Sequence, residues 1–294
     1  MKNLTQTHNI GSLKISVIIP TFNDDTRLQL CLDALSKQTL PTSDYEVIVV
    51  NNSKSPLSVK ATFENITFLR ELKPGSYAAR NLGVSAARGE VLAFTDSDCI
   101  PSRVWLESGL EAIHENALDR VGGRIELFYQ SDKLSSVECY EKIFSFRQDL
   151  SVRKGVAVTA NLFVARNVFI EIGVFDEKLL SGGDVEWNDR ATRAGYTLVF
   201  SPEAFVFHPA RHSWRELSGK IRRTTGGDFS RDPDYRISIL RSIFPPIAAT
   251  KRIILSNESF RTKVLAFAIA YRIRIARYFY LQFLRMGMAS PSRS

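Results

Sequence analysis

The chain has 294 residues, a mass of 33.1 kDa, 44% hydrophobic residues and a net charge of +8. This allows one full-sized domain with an appendage and a proper core, and excludes a disordered chain or a disulfide-dependent miniature fold. Cys31, Cys99 and Cys139 are odd in number and far apart, which fits neither a disulfide framework nor a paired-cysteine zinc site.

The start, Met1 to Lys14, is polar and carries no apolar core of a secretory signal, so a cytoplasmic location with reduced thiols is expected. No run approaches 18 apolar residues, so no spanning helix is expected. The charge is uneven. Residues 1–210 hold 22 Lys and Arg against 26 Asp and Glu, whereas residues 211–285 hold 16 against 5. The basic third therefore calls for an anionic partner, and no nucleic-acid recognition module accompanies it.

Lys14 to Pro20 reads as a buried strand ending at a proline, which cannot donate to a ladder. Leu28, Cys31, Leu32 and Leu35 then follow at helical spacing, with Asp24 or Asp25 placed to cap. Tyr45 to Val50 predicts a second strand, closed by the turn-prone Asn51-Asn52-Ser53, and Ile66 to Leu69 a third. Beyond Pro74-Gly75, Tyr77 to Arg88 has helical composition and leads through Gly89-Glu90 into a fourth strand, Val91 to Phe94. Such alternation predicts an α/β fold with a mostly parallel sheet, whose ligands bind beyond the carboxyl ends of the strands.

Downstream, residues 102–118 predict a helix, Gly122-Gly123 a break, Arg124 to Tyr129 a strand, and 135–148 contain a helix. Val156 to Val164 predicts a strand and Asp184 to Ala194 a helix entered through Gly182-Gly183, with short strands on either side of Pro202. Arg211 to Arg223 is a basic, helix-prone stretch. Residues 259–285 mix basic side chains with Phe267, Tyr271, Tyr278, Phe279, Tyr280 and Phe283, a pattern that serves an anionic membrane surface or docking on the preceding domain equally well.

Asp96-Ser97-Asp98 ends the fourth strand and offers two carboxylates where a hard cation such as Mg²⁺ or Mn²⁺ could hold phosphate oxygens. As a bare pattern it also suits a solvated turn with a capping aspartate. Asp184 combines two readings in the same way, as a helix cap or as a carboxylate base.

Three segments in order, Ser16-Val17-Ile18-Ile19-Pro20-Thr21-Phe22-Asn23, Ala79-Arg80-Asn81 and Ala93-Phe94-Thr95-Asp96-Ser97-Asp98, resemble family 2 glycosyltransferases of the GT-A fold. Gly182-Gly183-Asp184-Val185-Glu186-Trp187 with Arg190 looks like that family's acidic acceptor-side motif, and Phe205-Val206-Phe207-His208-Pro209 like its C-terminal histidine. The resemblance implies a Rossmann-like nucleotide-binding half fused to an acceptor-binding half, a divalent metal, and inversion at the anomeric carbon of a nucleotide-sugar donor. Residues 1–13 then form a polar tail, 14–230 the transferase domain, and 231–294 a basic, partly amphipathic helical region.

The resemblance also distributes roles. Pro20, Thr21, Asn23, Asn51, Arg80 and Asp96 fall to the nucleotide; Asp98, Asp96 and His208 to the metal, with His212 as the substitute histidine. Asp184 falls to the base, with Glu186 as the alternative, since Gly183 stands where the family usually has Glu. Gly183, Trp187, Arg222 and Arg223 fall to the acceptor or diphosphate side. Asn51-Asn52 replaces a usual aspartate, so a UDP-sugar is favoured on an uncharged contact. The acceptor is expected to be a glycan or lipid-linked, which would seat the protein peripherally on the cytoplasmic face of a membrane. Two other readings are a catalytically silent nucleotide-sugar-binding protein and a sugar-1-phosphate nucleotidyltransferase, though the latter's Gly-rich loop after the first strand is lacking.

Overall fold

The computed structural model describes residues 13–60, 63–115, 117–239, 244 and 246–291. Apart from Leu13, the expected N-terminal tail lies outside them. The first half is built as the apolar runs predict. Strands β1 (Ile15–Thr21), β2 (Tyr45–Asn51), β3 (Ile66–Arg70) and β4 (Val91–Thr95) run parallel in the spatial order β3-β2-β1-β4, with helices α1 (Asp25–Leu35) and α2 (Ser76–Ala86) as crossovers. β1, β2 and β4 are buried along their whole length, which is why they read as continuous apolar runs rather than alternating ones. Pro20 sits in β1 beyond the last residue paired with β4, where its missing N–H breaks no bond on that side.

The second half departs from simple alternation. β4 pairs antiparallel with β7 (Asn161–Ala165), β7 antiparallel with β6 (Arg120–Phe128), β6 parallel with β8 (Val199–Pro209), and β8 antiparallel with the short β5 (Ile100–Pro101). Gly122-Gly123 is no break, because β6 runs straight through it. A side chain at Gly123 would lie 2.1 Å from the Ala204 carbonyl and 2.4 Å from the Asn161 amide, so glycine is there to let Asn161 in. Buried Asn161 donates to the carbonyls of Arg124 and Ala204 and accepts from the Trp105 indole, tying β6, β8 and helix α3 (Trp105–Glu115) together. Likewise Pro202 does not separate two strands. It lies inside β8 at the register shift between Gly123 and Arg124, the kind of irregularity that tolerates a proline.

The predicted strand over 156–164 is shorter, starting at Asn161, and its first residues form a loop. Helices α5 (Gln148–Val152), α6 (Arg166–Ile172) and α7 (Gly183–Arg193) pack on the sheet, whereas α4 (Ser136–Phe144) packs with α8 (Trp214–Arg231), α9 (Ile247–Leu255) and α10 (Phe260–Arg285).

α10 docks on the rest of the chain. Ile269 packs with Val137 of α4 and Leu217 and Ile221 of α8, and Ala266 packs with Ile143 and Ile253. Burial of Ile269, Leu281 and Leu284 contributes about 1.5–3 kcal/mol each. The part-exposed Arg277–Asp228 pair at 3.1 Å adds at most about 1 kcal/mol, so apolar packing holds the helix. Several of its cations are consumed in docking. Arg272 lies 3.8 Å over the Trp214 ring, Arg277 binds Asp228, and Arg285 donates to the Tyr235 carbonyl. Among the described residues no helix is long and apolar enough to cross a membrane.

Candidate active site

The sheet explains why Asp98 and His208 meet. β5 pairs Ile100 with Phe207, so the turn after β4 is carried against the end of β8. Asp98 Oδ1 lies 3.6 Å from His208 Nε2, and Arg27 Nη1 stands 3.8 Å from Asp98 Oδ2. His208 Nδ1 is 2.8 Å from the Pro209 carbonyl, which can only accept, so Nδ1 carries a hydrogen and Nε2 is the nitrogen turned to Asp98. Such orientation by a backbone carbonyl is what a metal-binding imidazole requires. The ligand atoms of Asp98, Cys99 and His208 lie within 4.8 Å of one another. Oxygen and imidazole nitrogen suit Mn²⁺ or Mg²⁺, and the group therefore fits a divalent metal. Burial pushes the Asp98 pKa up, His208 opposes that shift, and Asp96 adds to it; a bound cation would favour the ionised carboxylate.

Cys99 and Cys31 are both fully buried beneath the aspartates. Their thiols are held protonated by burial and by the fields of Asp96 and Asp98. Cys31 donates weakly to the Asp96 carbonyl and Cys99 to that of Ala160. They act as small packing residues under the loop, in keeping with the expected reduced thiols.

Asp96 is bound on the opposite side. Its Oδ1 accepts from Arg80 Nη2 at 2.5 Å, and Arg80 is only 5% exposed, anchored in α2. The Arg80 Nε is buried without a hydrogen-bond partner, and so is the hydroxyl of Thr21 at the end of β1. These two orphaned polar groups, one at the end of β1 and one on α2 beside Asp96, mark where a ligand would supply partners. Asn23, at φ 52°, is exposed beside them. Asn51 is differently employed: its oxygen accepts from the Ser53 amide and its nitrogen donates to the Ser55 carbonyl, closing its own turn. One lone pair on that oxygen and one N–H of that nitrogen are left for a base.

Asp184 is the second residue of α7 and not its cap, two residues beyond the capping position expected for it. The cap is Gly182, at φ 75°. Its Oδ1 accepts from the Val185 amide at 3.0 Å and lies 3.4 Å from the Tyr77 hydroxyl, which itself accepts the Gly183 amide at 2.8 Å. A side chain at Gly183 would approach the Tyr77 ring to 2.8 Å, so this contact demands glycine. Burial raises the Asp184 pKa, Arg80 opposes the shift, and Asp96 contributes to it, which puts Asp184 in the same field as the strand-end aspartate. Burial also pushes the Tyr77 hydroxyl to about 12, so it stays protonated.

The remaining expected residues divide. Glu186 is bound to Arg190 at 2.6 Å, and Arg190 fastens α7 to the carbonyls of Ile172 and Val174, so that carboxylate is structurally committed. Trp187 is a correction: it is fully buried, stacked on Phe169 at 4.3 Å with its indole donating to the Gly173 carbonyl, and has no surface to offer an acceptor. His212 sits 3.2 Å from Glu138 on α4, which leaves His208 as the histidine at Asp98. Arg222 acts by its charge on Tyr280 of α10, whereas Arg223 shares the field of Tyr77, Asp96 and Arg80.

Tyr77, Arg27 and Lys220 belong to the site or its border and carry no motif in the sequence. Lys220 lies 6.0 Å from the Phe146 ring, which packs 4.3 Å from His208; burial first, then Arg211, lowers its pKa to about 8.

Comparison with known proteins agrees with this geometry. The model of Glycosyl transferase family 2 matches residues 16–172. The chain is 40% identical over 235 residues to Glycosyltransferase AglE of Haloferax volcanii, covering 77% of each chain. It is 30% identical over 118 residues to poly(ribitol-phosphate) beta-N-acetylglucosaminyltransferase TarP of Staphylococcus aureus, covering 38% of this chain and 36% of that one. Among solved structures, the mannosyltransferase PcManGT from Pyrobaculum calidifontis in complex with GDP-Man and Mn²⁺ superposes with a TM-score of 0.58 at 15% identity, over 94% of this chain and 88% of the other. S. aureus TarS in complex with UDP gives 0.53 at 18%, over 94% and 92%. With the strand-end aspartates, the histidine of β8 and the carboxylate of α7 converging on one face, the chain belongs to glycosyl transferase family 2 and is a glycosyltransferase with the GT-A fold.

Proposed function

We propose that the chain transfers a sugar with inversion from a nucleoside diphosphate sugar, UDP favoured, to a glycan or lipid-linked acceptor on the cytoplasmic side of a membrane. The observation that carries this reading is the opposition of two groups: Asp98 with His208 Nε2 on one side, and Asp184 backed by Tyr77 on the other, both in the field of Asp96. A divalent ion held by Asp98 and His208, with Asp96 in support, would neutralise charge on the departing diphosphate. Relatives of this fold carry GDP-Man with Mn²⁺ or UDP, which supports a metal-bound nucleotide sugar as donor.

The chain's own residues supply the rest. Thr21 and Arg80, each with a buried polar atom awaiting a partner, hold the nucleotide with Pro20, Asn23 and, through its remaining lone pair, Asn51. Asp184 takes the proton of the acceptor hydroxyl; its raised pKa makes it a better base than an exposed aspartate. Glu186 is the weaker candidate because its carboxylate is already held by Arg190. Tyr77 and Gly183 position Asp184, and Arg223 faces the charged side of the site.

Turnover of a panel of UDP-, GDP- and dTDP-sugars with and without Mn²⁺ tests the proposal. Metal-dependent release of one nucleoside diphosphate is expected. Release, on addition of pyrophosphate, of a sugar 1-phosphate together with a nucleoside triphosphate would instead assign the chain to nucleotidyl transfer, and binding without turnover, with acceptor extracts present, to a silent binder.

A further inference from the structure

Between α4 and α5 the chain makes a turn that its sequence does not favour. α4 ends at Phe144, Ser145 is extended with its amide bound to the Glu141 carbonyl, and Phe146 follows at φ 49°. Glycine or asparagine adopts this left-handed backbone readily, whereas a bulky aromatic residue is strained there. The turn is held from its far side. The Phe146 carbonyl accepts the Gln148 amide at 2.8 Å, and buried Gln148 is sewn into the sheet: its nitrogen donates to the carbonyls of Gly123 and Asn161, and its oxygen accepts the Val158 amide. Strain that the surroundings enforce points to something gained where the side chain lands.

The Phe146 side chain lands on His208. The two ring centroids are 4.3 Å apart and the planes inclined at 43°, with His208 only 5% exposed. Lys220 Nζ stands 6.0 Å from the same Phe146 ring, at the outer limit of a cation–π contact, so the imidazole is the closer partner. The Nδ1 bond of His208 runs to the carbonyl of the next residue and fixes the imidazole only relative to its own backbone. Phe146 ties it to a distant part of the chain. Gln148 is fastened to β6, and β6 pairs Leu127 with His208 of β8, so the turn and the histidine share one frame.

We propose that Phe146 is a positioning residue for the metal-side histidine: its enforced backbone sets an aromatic face against the His208 ring, so that Nε2 is already turned to Asp98 when a divalent cation arrives. This rests on the metal reading of Asp98 and His208 and adds to it the residue that holds the ligand in place. Two effects work in the same direction. An imidazole fixed beforehand loses less freedom on binding a cation, and one that has given its lone pair to a cation is more positive, a state that a neighbouring π-face favours.

The test is a titration of Mn²⁺ into the full chain at one fixed UDP concentration, with free ion read from its paramagnetic resonance signal and melting recorded for each variant. Phe146→Asn suits the left-handed turn but removes the ring, and Mn²⁺ affinity is expected to fall about ten-fold or more, as it does when a partner that orients a metal ligand is lost. Phe146→Leu keeps apolar bulk without an aromatic face and should also bind Mn²⁺ at least about three-fold more weakly; it decides the question should Phe146→Asn fail to fold. Phe146→Tyr retains the face and should stay within about two-fold of the parent. Parent-like affinity in a folded Phe146→Asn or Phe146→Leu, or an equal loss in Phe146→Tyr, would overturn the proposal. His208→Ala separates the two levels of the account. A parent that binds Mn²⁺ through His208 but is indifferent to Phe146 refutes this inference alone, whereas a parent that binds no Mn²⁺, or a His208→Ala variant that binds it equally well, refutes the metal reading beneath it.

Discussion

The Tyr77 hydroxyl accepts the Gly183 amide at 2.8 Å and stands 3.4 Å from Asp184 Oδ1. One phenol from α2 thereby fixes both the entry of α7 and the carboxylate that its first turn carries. Tyr77→Phe leaves the ring packing against Phe175 in place but orphans the Gly183 amide. We expect a loss of about 1–2 kcal/mol, read as roughly a ten-fold fall in kcat with little change in nucleotide affinity. An equal fall in nucleotide affinity would place Tyr77 in donor binding instead.

Burial raises the Asp184 pKa, so the ionised form is disfavoured in the folded chain. For an acid with a raised pKa, the stabilising contribution is full below the unfolded value and is lost as pH rises through the folded one. At pH 7 the carboxylate is therefore a burden on the fold, and Asp184→Asn should melt at the same temperature as the parent or higher while losing activity. In the parent, kcat should fall on the acid side with a midpoint above the ordinary aspartate range of about 3.9, because the base must be ionised. A lower melting temperature for Asp184→Asn would show that the carboxylate is structural.

Lys220 is charged only below about 8. If it faces the diphosphate of the donor, affinity for UDP with Mn²⁺ falls as pH rises through that value, and Lys220→Arg, which stays charged, removes the fall. A flat profile between pH 7 and 9 in the parent would remove Lys220 from the anion seat.

Trp187 is a packing residue. Trp187→Ala should cost about 3–5 kcal/mol of stability, as expected for a large aromatic lost from a core. Trp187→Phe keeps the stack on Phe169 but loses the bond to the Gly173 carbonyl, and should lower the melting temperature without altering the KM for acceptor. A changed acceptor KM in a stably folded Trp187→Phe would return it to the acceptor side.

The parallel half of the sheet is legible because strands buried on both faces are written as unbroken apolar runs, and Ile15–Ile19, Tyr45–Val50 and Val91–Phe94 are such runs. Asp96, Asp98, Asp184 and His208 were legible as an ordered motif. Gly122-Gly123 and Pro202 were misread because their meaning is tertiary: the glycine makes room for Asn161, and the proline falls at a register shift with β6. Tyr77 left no local signal, since its partner lies 106 residues away. Trp187 carries a motif's outward form and a core residue's environment, and periodicity alone does not distinguish the two.

The central claim is that the Asp98–His208 side holds the metal-bound donor while Asp184 acts on the acceptor. Steady-state transfer by Asp98→Ala and Asp184→Asn, each with UDP affinity measured in Mn²⁺ on the same preparation, tests it most directly. Asp98→Ala should lose both metal-dependent UDP binding and turnover; Asp184→Asn should keep UDP binding within about two-fold while kcat falls by about 10²–10⁴, the contribution of a positioned base. Undiminished kcat in Asp184→Asn, or undiminished Mn²⁺-dependent binding in Asp98→Ala, would contradict it.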